Sequence, residues 1–344
     1  MKARTKEIIR DGFGSLVSNA SALRGAKAGP LWLTIVMFFL GILLPIIPLF
    51  VAQANTNGST FLNNYSFNLE KTVTLLATDL ETRNVEFEID SDHLLTVREN
   101  NNVVDYAMYG YVNPFAARVN EKTHQFDLML YISDRTLASD KQTVNDLISK
   151  QLYTQKTTEP ATAGDTYRPS YIILFKDGVY VTIVGNNSTT VIANSYIGDF
   201  KTMPAANNYL SKLLTVEGVT KDIYSADYSK GVYTNFVKFL DKSYETSKIK
   251  NMWGFSGIYL GIYFGVCLLM GLLMFLLTRG KNNPNNYFSL WLCLKIQGRL
   301  VFCPGLLTMI IGFFLTNQAT LIFIMTVGLR VMWISMKELR PVAQ

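Results

Sequence analysis

Four stretches of this chain are long, apolar and almost free of charge, and they restrict it to folds that live in a bilayer. Leu31 to Gln53 and Ser256 to Thr278 hold no charged residue, nor does Leu300 to Gln318, and Ala319 to Met336 holds one, Arg330. A bilayer core needs about 20 apolar residues per helix. The blocks predict four transmembrane helices, at 31–53, 254–278, 300–316 and 319–337, the last two joined by the short turn Thr316-Asn317-Gln318. Thirty residues precede the first block, and it exceeds the roughly 7–15 apolar residues of a cleaved leader, so a signal anchor is expected. Pro45 and Pro48 are expected to bend it near one end.

Charge sets the expected orientation. Residues 1–30 carry six Lys/Arg against two acids, residues 54–250 carry 19 against 23, and residues from 251 onward carry seven against one. The net charge of +6 is therefore +4 (6 − 2), −4 (19 − 23) and +6 (7 − 1) in chain order. By the positive-inside rule this predicts a multi-pass protein of the cell membrane with both termini cytoplasmic. Residues 54–250 would form an extracytoplasmic α+β domain inserted between the first and second helices. The basic balance thus reports topology, and no nucleic-acid partner is expected. All three cysteines, Cys267, Cys293 and Cys303, lie in or beside the C-terminal apolar blocks, so disulfides are not expected to hold the middle domain.

Within that domain, Asn55 to Asn68 reads as a polar tether. Leu69, Val73, Leu76 and Leu80 then follow a helical spacing. In VEFEID, Val85, Phe87 and Ile89 alternate with acids, which predicts a strand with one buried face, paired with HLLTVRE. NVVDYAMYG, FDLMLYI and residues 189–197 are further strand candidates. Ser139 with Gln142 three residues on forms a capping box for a helix through Leu152. Asp177-Gly178, between two β-rich runs, is a hairpin signal. Tyr228, Val232, Phe236 and Leu240 predict a last amphipathic helix that leads through basic residues into the second span.

Motifs for catalysis are absent. The two histidines, His93 and His124, have no metal-ligand spacing to a cysteine or another histidine, and surface or loop roles are expected for both. No glycine-rich phosphate loop, nucleophile elbow or H-E-x-x-H occurs. No catalytic residue, metal site or cofactor is expected. The four tryptophans, Trp32, Trp253, Trp291 and Trp333, fall at the block boundaries, as in an aromatic belt. The middle domain has tyrosines for sugar stacking but no tryptophan.

Three other features point to packing. Gly257, Gly261 and Gly265 recur every fourth residue and so share one helix face, where glycine admits a second helix closely. Their partner is an internal span or another protein. Arg330 carries a charge that costs about 2.5–3.5 kcal/mol at mid-bilayer on insertion scales. It either snorkels toward Lys337 or meets a buried partner or polar cavity. Pro304 should kink the third span and free the carbonyl of Leu300. Before it, residues 285–299 mix Trp, Phe and Leu with Lys295 and Arg299, the make-up of a cytoplasmic interfacial helix. The basic amphipathic segment 1–30, with Ile8, Ile9, Phe13, Leu16 and Val17, is expected to meet anionic lipid at the inner leaflet.

The order of parts resembles the maltodextrin-utilisation membrane proteins of Gram-positive bacteria, a family carrying a domain of unknown function. The resemblance rests on the basic start before a proline-bearing first span, on FEIDSDHLLTV and SYIILFKDGVYV, and on NNYFSLWLCLKIQGRLVFCPGLLTMIIGFF. It implies a non-enzymatic accessory role beside a sugar ABC transporter and brings no catalytic residues. A receptor or sensor whose outer domain binds an envelope ligand is the competing expectation.

Overall fold

A computed structural model describes residues 10, 14, 15, 18–64, 69–103, 115–120, 125–133, 136, 137, 170–186, 191–203, 209–213, 215–222, 224–279 and 283–339. The chain divides into two compact units, one formed by Met1–Asn55 with Lys250–Gln344, the other by Thr56–Ile249.

The first unit is helical. In chain order it holds α1 (Asn19–Ala28), α2 (Leu31–Leu43) and α3 (Ile46–Asn55). Among the described residues, four helical runs are long and apolar enough to cross a membrane: Leu31–Asn55, Ala226–Leu277, Leu290–Gly312 and Thr316–Lys337. Two are interrupted where the sequence places proline. α2 stops at Leu43, and α3 resumes at Ile46 after Leu44-Pro45. Pro48 has no N–H for the Leu44 carbonyl, which accepts instead from Ile47 N at 3.1 Å.

The second interruption falls at Val301. Residues 285–299 and 300–316 were expected to be an interfacial helix and a separate span. Helices occupy Leu290–Leu300 and Phe302–Gly312, and the run Leu290–Gly312 as a whole is long and apolar enough to cross a membrane. Cys293, Ile296, Gln297, Gly298, Arg299 and Leu300 are all buried in the helical unit. The 3-10 turn Thr316–Gln318 then leads into the last helix, Ala319–Lys337, with the bounds the sequence predicts.

The second unit holds α4 (Leu69–Thr82) and two sheets. Strands β1 (Val85–Ile89), β2 (Leu95–Glu99) and β3 (Asn102–Val103) form one, in that order. Strands β4 (Phe115–Asn120), β5 (Gln125–Ile132), β6 (Ser170–Leu174), β7 (Gly178–Asn186) and β8 (Val191–Asp199) form the other, also in sequence order. Every pairing is antiparallel except β5 with β6, where Leu128 faces Ser170 and Ile132 faces Leu174. A parallel pair needs a crossover. The expected helix from Ser139 belongs to that connection and lies outside the described residues, as does His124. β6 is central, and Ile172, Ile173 and Leu174 are all buried, which explains a run of apolar residues without alternation.

The predicted strand pair 85–90 and 93–99 forms as β1 and β2, with Phe87 opposite Val97 and Ile89 opposite Leu95. The turn between them is held by Asp90, whose Oδ1 accepts from the backbone of Asp92 and Leu94 at 2.9 and 2.8 Å. The hairpin at Asp177-Gly178 joins β6 to β7, but Gly178 needs no left-handed backbone. It is required because a Cβ there would strike the Gly198 carbonyl and Leu137. Asp177 Oδ1 accepts from Leu137 N at 2.6 Å.

The helix α5 (Ala226–Leu277) runs for 52 residues without a break. Its first part belongs to the second unit, where Tyr228, Val232, Phe236 and Leu240 enter the core with Val73, Leu76, Leu80, Ile172, Val179 and Val181. The expected tether at 55–68 is corrected by this packing. Gly58–Asn64 is a 3-10 turn, with Leu62 buried in the same core and Phe61 in ring contact with Tyr196 and Tyr244, 4.9 and 5.3 Å between centroids. Ser59 N donates to Asp241 Oδ1 at 2.7 Å, and Lys248 Nζ to Asn57 Oδ1 at 2.9 Å. Two apolar side chains suffice to dock a segment whose composition is otherwise that of a linker.

Candidate functional site

The chemistry of the helical unit is concentrated on two arginines. Its remaining helices are α6 (Leu290–Leu300), α7 (Phe302–Gly312) and α8 (Ala319–Lys337). Burying a guanidinium requires acceptors for a planar fork of donors. Pro304 provides one of them. It has no N–H for the carbonyl four residues back, and that carbonyl, on Leu300, accepts from Arg330 Nη1 at 2.9 Å. Arg330 also donates from Nε to Asn19 Oδ1 at 3.3 Å and from Nη2 to the Ser15 carbonyl. The described hydrogen bonds of Arg330 thus go to polar atoms on α1, α6 and the segment before α1.

Arg299 is 1 % exposed and sits where the sequence suggests an interfacial cation. Its Nε donates to Thr34 Oγ1 at 2.9 Å, and its guanidinium lies over Gly25 and Gly29. A Cβ on either glycine would overlap it. The pair Gly25 and Gly29, which the sequence reading passed over, has the same spacing of four as the glycines singled out in α5.

Glycine packs helix on helix elsewhere in the unit. At the crossing of α2 and α7, a Cβ on Gly305 would strike the Gly41 backbone, and one on Gly41 would strike Val301 and Phe302. Gly298 meets Thr34, Gly312 meets Pro48, and Gly271 meets Leu294. Gly257, Gly261 and Gly265 differ from all of these. A Cβ added to any of the three meets nothing of this chain within 4 Å. Helical geometry explains it. Tyr263 and Cys267 of α5 point into the unit, 0 % and 1 % exposed. Gly261 and Gly265 lie two residues either side of Tyr263, about 200° around the helix at 3.6 residues per turn. The glycine face is therefore opposite the one α5 uses internally. Among the described residues, no other span comes within 4 Å of a Cβ built there.

The tryptophans Trp32, Trp253, Trp291 and Trp333 all turn outward. In the other unit, a cleft of about 360 Å³ is lined by Leu80, Glu86, Phe87, Glu88, Arg98 and Leu210 among others, with no tyrosine among the described residues of its wall. Arg98 there pairs with Glu88 at 3.0 Å. His93 occupies the β1–β2 turn with a left-handed φ of 60°. Among the described residues, no three or more His, Cys, Asp or Glu side chains are grouped to hold a metal ion. No protein-family model, curated protein or solved structure matches the chain.

Proposed function

We propose that this is a membrane protein that works by contact with another membrane protein, through the face of α5 that carries Gly257, Gly261 and Gly265. The observation behind this reading is the contrast within one helical unit. Gly41, Gly271, Gly298, Gly305 and Gly312 meet other helices, while the ladder on α5 meets none. In lipid, close packing of small residues is a main source of helix attraction, so an open glycine ladder suits a partner helix. Ile258, Ile262, Leu268 and Leu269 flank it and also face outward.

In this reading both termini are cytoplasmic, as the distribution of Lys and Arg favours, and the Thr56–Ile249 unit is extracytoplasmic. The resemblance to maltodextrin-utilisation proteins makes a carbohydrate ABC transporter the partner to look for, with the chain as a non-enzymatic accessory. Purification from native membranes in mild detergent, with crosslinking from Ile258→Cys, tests it. A transporter subunit crosslinked from position 258, and lost with Gly261→Leu, is the expected result. Recovery of the bare chain, with sugar uptake unchanged on deletion, would reject it. Protease added outside wall-free cells should cut within residues 56–249 and spare both tails.

A receptor role is favoured by one feature, the 360 Å³ cleft, whose size falls within the range of small-molecule sites, roughly 300–1,000 Å³. Among the described residues, its wall offers the Arg98–Glu88 pair for a polar ligand and Phe87 as its one aromatic side chain. Binding of a glycan or peptide panel to the full-length protein, compared with Arg98→Ala, separates this role from the first.

A further inference from the structure

A groove of about 690 Å³ opens on the helical unit between the first turn of α1, α7 and α8. Arg330 and Lys337 both line it, and so does Asn19 in the first turn of α1, a turn that holds no acidic residue. Apolar side chains line it beside them: Leu307, Leu329 and Trp333 are 44 %, 56 % and 57 % exposed.

Among the described residues no acid pairs with either cation. The three described bonds of Arg330 go to uncharged oxygens. Lys337 stands over the Trp333 ring at 5.6 Å, and neither cation forms an ion pair among the described residues. Among the described residues, Glu338 is the one acid on the groove wall, against two cations.

We propose that this groove binds one anionic phospholipid, its phosphate between Arg330 and Lys337 and an acyl chain along Leu307 and Leu329. Two cations beside an outward apolar wall, on helices apolar enough to cross a bilayer, match the two halves of such a lipid. A zwitterionic lipid brings its own cation and gains less from the excess charge. A free phosphate makes no use of the apolar wall. The site rests on membrane embedding of the helical unit and is separate from the α5 face, so it stands or falls independently of the partner protein proposed above.

Native mass spectrometry of the full-length protein in mild detergent, titrated with dioleoyl phosphatidylglycerol or dioleoyl phosphatidylcholine, tests the site. Arg330 holds α8 to its neighbours and is left in place. The phosphatidylglycerol adduct is expected to be the tighter. Lys337→Gln should weaken it about fivefold, from about 1 kcal/mol per basic residue near an anionic surface, and leave phosphatidylcholine unchanged. Leu329→Trp, which fills the groove, should weaken it further, while Lys295→Gln, outside the groove, should not. Excess inorganic phosphate at matched ionic strength should not displace the lipid. Equal affinity for the two lipids, equal loss from Lys337→Gln and Lys295→Gln, or displacement by phosphate would overturn the proposal.

Discussion

The Arg330 guanidinium donates to the Leu300 carbonyl, 2.9 Å away, which is the acceptor that Pro304 leaves without its helical donor. A kink and a half-buried charge, each costly alone in an apolar helix bundle, offset one another at this point. Arg330→Met removes three hydrogen bonds from a charged donor and should lower the thermal midpoint in detergent, with a cost of about 3 kcal/mol or more.

The pairing makes a sharper test. Pro304→Ala restores an N–H four residues after Leu300, so the Leu300 carbonyl no longer needs Arg330. Arg330→Met should therefore cost about 1 kcal/mol less in the Pro304→Ala background than in the wild type. Additive losses in that double-mutant cycle would show that the two residues act separately.

Glycine positions should divide into two groups under one substitution. Gly305→Ala places a methyl on the Gly41 backbone and should destabilise by about 1–3 kcal/mol. Gly261→Ala faces open space in this chain and should be neutral, or stabilise by up to about 1 kcal/mol through helix propensity. Thermal unfolding of the purified protein in detergent reads both.

Enlarging Gly25 should act on Arg299. Gly25→Val pushes into the guanidinium that donates to Thr34 Oγ1, and a loss of about 1–3 kcal/mol is expected. Combining it with Arg299→Ala, which vacates the slot, should recover part of that loss. A double variant no better than the sum of its parts would contradict the slot as described.

Alkaline pH should strain the second unit through Tyr196. Burial pushes the Tyr196 phenol above its ordinary range, partly opposed by the hydrogen bond it shares with Ser243 Oγ at 3.1 Å. A raised folded-state value leaves stability unchanged below the ordinary tyrosine value of about 10 and makes it fall as pH rises beyond that. Unfolding measured by near-ultraviolet circular dichroism across that range should show the fall. Tyr196→Phe should reduce the slope, at a cost of about 1 kcal/mol at neutral pH.

Local periodicity revealed more of this structure than long-range partners. The stripe Tyr228, Val232, Phe236 and Leu240 and the alternation of Val85, Phe87 and Ile89 each become a buried face, because spacing alone decides which side of an element is apolar. Pro304 and the carbonyl it frees were legible for the same reason. Arg299 was not. Its sequence neighbours suit an interface, and its true surroundings, Gly25, Gly29 and Thr34, come from about 270 residues earlier in the chain. The glycine ladder on α5 was visible as a repeat. Which way it faced depended on Tyr263 and Cys267 being the internal side, and composition does not mark that.

The bond between Lys248 and Asn57 places the first and last turns of the Thr56–Ile249 unit side by side. A module whose ends meet behaves as a cassette. Its two breakpoints can be sealed with a short bridge, or grafted into a tight bend of an unrelated host, with little rearrangement of what lies between.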